Sequence, residues 1–214
     1  MRSVIALLIF AAFSLPAAER RDKIGEPGKF DYYLLSLSWS PAYCAGRPGA
    51  DDLQCGPGRR FSFVLHGLWP QYSKQVQGSY WPQCCNDDPG LRDPKSMLDI
   101  MPSTGLIRHE WEKHGTCTGL NAESYFDLAR KAYQTIRIPT RFTALSEYLN
   151  ISPAEVKKDF VAANSGAPAS AFVIGCSSNY LSEVRICLDR SLKPIPCQGQ
   201  RDCRAPKVRM PPVR

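Results

Sequence analysis

The stretch HEWEKHGTC, residues 109–117, places two histidines, two glutamates and a lysine within six consecutive positions. On a helix, with about 100° of rotation per residue, Lys113 lies about 40° around the axis from His109. Glu110 and His114 lie at about 100° and 140°, within the same half of the circumference. The pattern predicts one helix face that carries two imidazoles, a carboxylate and an ammonium group.

The stretch is similar to the zinc-protease pattern H-E-x-x-H, but its second histidine follows the first by five residues rather than four. Zinc-binding histidines on one helix are four residues apart, because that spacing points both nitrogens at one ion. A lysine also lies between the two histidines here, and a cation is unfavourable inside a metal site. The face therefore indicates a site for an anion, and no metal or other cofactor is expected.

The sequence has one further histidine, His66, which lies in FVLHGLWP. Gly67 and Trp69 follow it near the end of an expected strand. Two histidines from different elements that face one phosphate can act as general base and general acid. A lysine and a further imidazole can bind the phosphate and stabilise the charge that develops on it. RNA supplies its own nucleophile, the ribose 2′-OH, so this chemistry needs neither a metal nor a covalent intermediate.

The elements that must position these groups follow from residue patterns. Apolar and aromatic runs predict strands over residues 30–40, 61–70, 171–176 and 180–189. Helix-forming and capping residues predict helices over 105–114, 121–136 and 152–163, and a short helical segment over 95–101. Strands first, helices in the middle and strands last predict a single α+β domain with a mainly antiparallel sheet.

The ends of the chain carry further signals. A basic start, an apolar run and small residues up to Ala18 predict a signal peptide over residues 1–18, hence a periplasmic or secreted protein. No run is long enough to span a membrane, and the mature protein is expected to be soluble and monomeric. Residues 206–214, which are basic and rich in proline, are expected to form a loose tail. The net charge of +7 suits an anionic partner, either nucleic acid or a membrane surface, but it is equally that of a merely soluble surface, and charge alone does not choose between these interpretations.

Nine cysteines agree with export, because disulfides persist in oxidising compartments. There is no close C-x-x-C pair that would indicate a structural zinc site. The count predicts four disulfides and one remaining thiol. Spacing alone does not determine the connectivity, although Cys44 and Cys55 are expected to close the loop between them.

FVLHGLWP and HEWEKHGTC resemble the two active-site motifs of the ribonuclease T2 family, which comprises exported transferase-type ribonucleases. The resemblance extends from Tyr32 to about Cys203 and includes LSLSWSPAYC and LSEVRICLD. It implies a ribonuclease domain over 19–205, with a twisted antiparallel sheet packed against helices. Its expected partner is single-stranded RNA, which it would cleave through a 2′,3′-cyclic phosphate.

The resemblance also implies residue roles. His114 would take the 2′-OH proton and His66 would protonate the leaving 5′-oxygen. Glu110 and Lys113 would stabilise the pentacoordinate phosphate, and His109 would help to bind it.

Two aromatic residues, Trp69 and Tyr80, match positions that stack on bases in the family. Some relatives carry aspartate where this chain has Gln71, so their base preference does not transfer. The disulfides implied by the resemblance are Cys44–Cys55, Cys85–Cys117, Cys176–Cys203 and Cys187–Cys197. Cys84 is then left over, unless it takes the place of Cys85.

Other functions are weighed against this interpretation. A metal-dependent hydrolase is disfavoured by the histidine spacing. A non-catalytic RNA-binding or toxin-like module fits the basic charge but gives no reason for the candidate catalytic groups. A cysteine hydrolase would have to use Cys84, which has no recognisable partner motif. Trp111 and Glu112 point away from the helix face and are expected to have structural roles.

Overall fold

The computed structural model describes residues 23–47, 49 and 51–213, and the predicted signal peptide lies outside them. One six-stranded sheet consists of β1 (Tyr32–Trp39), β2 (Phe63–Gln71), β3 (Leu149–Ile151), β4 (Phe172–Ser177), β5 (Tyr180–Leu188) and β6 (Val208–Met210). The strand order is β2-β1-β5-β6-β3, and β4 pairs with β5 outside this path. Among the strand pairs of the described residues, only the bridge between β5 and β6 is parallel, so the predicted mainly antiparallel sheet is confirmed.

The helices are α1 (Ser40–Ala45), α2 (Asp52–Cys55), α3 (Thr104–Lys113), α4 (Ala122–Thr135), α5 (Thr140–Thr143) and α6 (Pro153–Ala163). The three long helices, α3, α4 and α6, lie where the sequence predicts them. Each begins at a polar cap, because the side chains of Ser103, Asn121 and Ser152 accept hydrogen bonds from backbone N–H groups of the first turn. The segment expected to be helical over 95–101 contains a short 3-10 helix, Pro94–Met97.

The sheet buries one face against α3, α4 and α6. Leu35 and Leu37 of β1 point into this core, where they join Trp111 of α3 and Phe126 of α4. Alternate residues of the strands point to the opposite face, which carries a small apolar cluster and the polar groups described below. No helix in the described part of the chain is long and apolar enough to cross a membrane.

The prediction of a loose tail over residues 206–214 is wrong. Val208–Met210 form β6, which pairs with β3 and bridges to β5, and the side chains of Val208 and Met210 are buried. The Trp39 Nε1–H donates to the carbonyl oxygen of Pro211, and the Val213 N–H donates to that of Leu145. The apolar–basic–apolar alternation fits a short strand, but the basic and proline-rich composition around it hides that signal.

All four disulfides implied by the family resemblance are present: Cys44–Cys55, Cys85–Cys117, Cys176–Cys203 and Cys187–Cys197. Cys84 is buried and takes part in none of them. Cys85–Cys117 lies close to the end of α3, where the Cys84 N–H also donates to the carbonyl oxygen of Lys113. This crosslink therefore anchors the end of the helix that carries most of the candidate site.

Candidate active site

His66 reaches the outer face of the sheet through a β-bulge. In the pairing of β1 with β2, Ser36 is opposite Gly67 and Leu37 is opposite Leu65, so His66 has no partner across the ladder. An extra residue of this kind bends the strand and changes the direction of its side chain. The His66 side chain is 36% exposed, which leaves it accessible to a substrate.

Helix α3 brings Glu110 up to His66. The Glu110 side chain is 1% exposed, its Oε2 accepts a hydrogen bond of 2.6 Å from Trp69 Nε1, and its Oε1 lies 3.9 Å from His66 Nε2. Burial raises the pKa of Glu110 to about 7, although His66, the Trp69 N–H and Lys113 act in the opposite direction. Glu110 therefore changes its charge near neutral pH.

Gly67 makes this approach possible. A Cβ atom at position 67 would lie 2.1 Å from Glu110 Oε2 and 2.3 Å from Trp69 Nε1, far inside van der Waals contact. The glycine after the bulged histidine is therefore needed for space, because a carboxylate and an indole meet over its backbone.

The rings of the two predicted acid–base histidines both lie close to the Trp69 indole. The indole ring is 5.1 Å from the His66 ring and 5.4 Å from the His114 ring, measured between centroids. His114 caps the C-terminus of α3 and is buried, and its Nδ1 has no hydrogen-bond partner among the described residues. Burial, with the nearby charges of Lys113, His109 and His66, lowers the pKa of His114 to about 3. His114 is therefore neutral over most of the pH range.

A second carboxylate, Glu183 of β5, was missed in the sequence. Its Oε2 lies 3.6 Å from His66 Nδ1 and accepts a hydrogen bond of 2.5 Å from Ser36 Oγ. Its Oε1 accepts two hydrogen bonds from the Arg185 guanidinium. Burial alone would raise the pKa of Glu183, but His66, Arg185 and Ser36 outweigh it and hold that pKa well below its usual range.

The two carboxylates act on His66 from two sides. Burial by itself would lower the pKa of His66, but Glu183 and Glu110 outweigh burial and the charge of Arg185, and the pKa is raised. The two histidines are therefore shifted in opposite directions. A signal for this partner exists in the sequence, since YLSEVRICL places two opposite charges two residues apart in an otherwise apolar strand.

The remaining predicted residues lie at the margin of the site. Lys113 is half-buried in the last turn of α3, and His109 is exposed one turn earlier. The predicted helix face therefore runs from solvent, at His109, to the protein interior, where Glu110 is buried. Tyr80 follows β2 and is 50% exposed, next to the exposed Trp81, and the contacts described for the two central histidines do not include it.

A cavity of about 680 Å³ opens beside His66 and Glu183. Its other walls come from α1, the start of α3 and the turn between β4 and β5, and they include Tyr43, Arg47 and Tyr180. Polar side chains and tyrosine rings therefore continue from His66 over one side of the sheet. Within the described residues, no group of three or more His, Cys, Asp or Glu side chains is arranged to hold a metal ion.

Residues 30–197, which contain every predicted catalytic residue, match the model of the Ribonuclease T2 family. The chain belongs to this family. It is 41% identical to a ribonuclease of Aeromonas hydrophila over 147 residues, which cover 67% of this chain and 63% of the relative. It is 30% identical to ribonuclease DdI of Dictyostelium discoideum over 211 residues, which cover 89% of each chain.

The chain spans less than two thirds of the Aeromonas relative, and it matches 50% of a probable ribonuclease of Haemophilus influenzae. Among solved structures, ribonuclease MC1 from the seeds of bitter gourd superimposes with a TM-score of 0.61 at 25% identity. That match covers 84% of this chain and 99% of MC1. Trichomaglin, described as an S-like ribonuclease, gives a TM-score of 0.65 at 21% identity and covers 87% of this chain and 100% of its own. The α+β fold of the ribonuclease T2 family is thereby confirmed.

Proposed function

We propose that this protein is an endoribonuclease that cleaves single-stranded RNA by acid–base transphosphorylation, without a metal, through a 2′,3′-cyclic phosphate. The observation that carries the proposal is the pair of histidines that both lie within 5.4 Å of the Trp69 ring, measured between centroids, and have oppositely shifted pKa values. The ribonuclease names of the relatives from Aeromonas and Dictyostelium support the same class of activity.

In the proposed reaction, neutral His114 accepts the proton of the ribose 2′-OH, and the 2′-oxygen attacks phosphorus. The bond from phosphorus to the 5′-oxygen breaks, and protonated His66 gives its proton to that oxygen. The products are a 2′,3′-cyclic phosphate and a free 5′-OH. The opposite shifts support this assignment, because a base must begin neutral and an acid must begin protonated.

Glu110 and Lys113 stabilise the charge that develops on the phosphate. Below about pH 7 the Glu110 carboxyl is protonated and can donate a hydrogen bond to a phosphoryl oxygen. Lys113 contributes a positive charge from the same end of α3, and the exposed His109 contributes a further contact to phosphate. These groups are already in place before the reaction, which is the condition under which electrostatic stabilisation is most effective.

Glu183 acts on the reaction through His66. Its carboxylate lies 3.6 Å from His66 Nδ1 and favours the protonated ring, and Nε2 is the nitrogen that gives its proton to the 5′-oxygen. Ser36 and Arg185 hold the carboxylate in place. We therefore assign Glu183 as a positioning residue rather than a catalytic one.

Base stacking is proposed for Trp69 and Tyr80. Trp69 has a second task, since its N–H holds Glu110, while the exposed Tyr80 ring is available to a base. Because His66 protonates the 5′-oxygen, the cavity beside His66 receives the nucleotide that leaves with that oxygen.

The test uses disulfide-intact protein, single-stranded RNA and excess EDTA at mildly acidic pH, followed by analysis of the new 3′ ends. The proposal expects 2′,3′-cyclic phosphate ends from the wild type and none from His66→Ala or His114→Ala. Lys131→Gln, in an exposed position of α4, is the control and should cleave like the wild type.

Two other outcomes would support the rival functions. Cleavage that disappears in EDTA and returns with added metal would indicate a metal-dependent hydrolase. RNA that is bound but left intact under both conditions would indicate a binding module.

We also propose that the protein is exported to the periplasm or the medium. The four disulfides support this, because such crosslinks persist in oxidising compartments. Expression of the full chain followed by mass measurement of the product tests the proposal. A product that stays in the cytoplasm with residues 1–18 attached would contradict it.

A further inference from the structure

A row of three side chains crosses the outer edge of the sheet. Tyr180 begins β5 and is opposite Arg209 of β6, which in turn is opposite Asn150 of β3. Tyr148 precedes Asn150 by two residues, and its ring lies 4.1 Å from the Arg209 guanidinium. The Tyr180 ring lies 6.0 Å from the same guanidinium on the other side. Arg209 thus lies between two tyrosine rings.

This row is accessible and firmly held. Arg209 is exposed and Tyr148 is 45% exposed, whereas Val208 and Met210 on either side of Arg209 are buried in the core. The buried neighbours fix the backbone of the strand, and the two tyrosine rings hold the guanidinium over the sheet. Less conformational entropy is then lost on binding.

The row is continuous with the candidate active site. Tyr180 lines the cavity that also contains His66 and Glu183, so a chain leaving the histidines through this cavity meets Tyr180 first and then Arg209 and Tyr148. Aromatic rings and a guanidinium along a groove are the groups that bind single-stranded nucleic acid, through base stacking and phosphate contacts.

We propose that Tyr180, Arg209 and Tyr148 bind the part of the RNA chain that continues on the 3′ side of the cleaved phosphate. This inference rests on the proposed function, in which His66 protonates the leaving 5′-oxygen. The cavity on the His66 side then holds the first leaving nucleotide, and the row holds the nucleotides after it. The enzyme therefore prefers a cleavage site that is followed by further RNA over one at the 3′ end.

The other interpretation of the row is structural. An arginine between two tyrosines can simply stabilise the edge of the sheet through cation–π contacts. Such a role would affect unfolding, but it would not depend on how far the substrate extends to one side of the cleaved bond. Substrate length therefore separates the two interpretations.

The experiment uses oligonucleotides with a single ribonucleotide in a deoxyribonucleotide chain, so that only one bond can be cleaved. One substrate is a dinucleotide, a second is extended by four nucleotides on the 3′ side, and a third is extended equally on the 5′ side. For each enzyme, the gain is kcat/KM for an extended substrate divided by kcat/KM for the dinucleotide.

The wild type and the Lys131→Gln control are expected to show a gain of about tenfold for the 3′ extension, equivalent to about 1.4 kcal/mol. In Tyr148→Ala with Arg209→Gln that gain should fall close to one, while the gain from the 5′ extension is unchanged. With the 3′-extended substrate, the plot of log kcat/KM against log salt should also become shallower by about 0.7, the contribution of one phosphate contact.

An unchanged 3′ gain in the double variant would overturn the inference, as would a loss confined to the 5′-extended substrate. A lower melting temperature together with an unchanged gain would show that the row is structural. Failure of the wild type to cleave the dinucleotide or any extended substrate would instead refute the proposed function, so the two failures are distinguishable.

Discussion

The buried carboxyl of Glu110 is expected to be needed for activity but to lower the free energy of unfolding at alkaline pH. Its carboxyl is 1% exposed, and burial raises its pKa from the ordinary value of 4.5 to about 7. A shift of that size corresponds to about 3 kcal/mol between the two protonation states. Replacement by glutamine keeps the side-chain shape and an oxygen that can accept the Trp69 N–H, but removes the charge.

The sign of the pH dependence follows from which state binds the proton more tightly. The folded protein holds the Glu110 proton up to about pH 7, whereas the unfolded chain releases it near pH 4.5. The stability attributable to this group is therefore fully present below pH 4.5 and is lost as pH rises to about 7. Glu110→Gln should match the wild type in stability at pH 4, and should exceed it by about 3 kcal/mol at pH 8.

Urea unfolding of both proteins at pH 4, 6 and 8, with disulfides intact, measures this difference, and cleavage of single-stranded RNA is measured in parallel. Subtracting the free energy of unfolding of the wild type from that of the variant at each pH removes the contributions of groups that titrate equally in both. Cleavage should fall at least about a hundredfold, because the glutamine amide is a much weaker acid than the protonated carboxyl that donates to the phosphate. A variant that is equally stable at every pH, or less stable at pH 8, would refute the argument that burial of this carboxyl is costly.

Three further variants test the arrangement around the histidines. Glu183→Gln should lower the pKa of His66 and move the alkaline limb of the kcat/KM profile down by about one pH unit, with a matching shift in the NMR titration of His66; an unchanged limb would show that Glu183 does not act through the imidazole. Gly67→Ala should reduce kcat/KM about a hundredfold with the circular dichroism spectrum retained, because the new methyl group displaces Glu110; full activity would contradict this. Trp69→Phe should raise the pKa of Glu110, since the carboxylate loses a hydrogen-bond donor. When the free energy of unfolding of the variant is compared with that of the wild type across pH, the loss of stability due to Glu110 should therefore occur at a higher pH. An unchanged pH for this loss would contradict the argument.

Local patterns were enough to predict the main elements. The apolar runs of β1 and β2 and the caps at Asn121 and Ser152 give the strands and helices strong local preferences that the tertiary structure does not override. The three-residue strand β6 was missed, because a strand this short is defined by its partners rather than by its own composition. Its pairing with β3 and β5 converts an apparently loose tail into an edge of the sheet.

The candidate site was predictable only in part for a related reason. His109, Glu110, Lys113 and His114 lie within six residues, so helix geometry alone places them together. His66 was a candidate from its place near the end of a strand and from the resemblance of its motif to a known family, but nothing in the local pattern shows that it faces α3. Glu183 lies more than a hundred residues further along the chain, and its approach to His66 depends on how β5 pairs with β1.

The sequence by itself determined the chemical groups, their local elements and, through two motifs, the family, whereas the choice of Cys85 over Cys84 as the partner of Cys117 came from the structure. These depend on residue type and on spacings of a few positions, which the chain carries wherever it folds. Only the tertiary structure decided that the pKa of His66 is raised and that of His114 is lowered, because these shifts arise from burial and from the charged groups that the fold brings close. The row of side chains beside the site likewise depends on the sheet, since Tyr148, Tyr180 and Arg209 come together only because β3, β6 and β5 are paired.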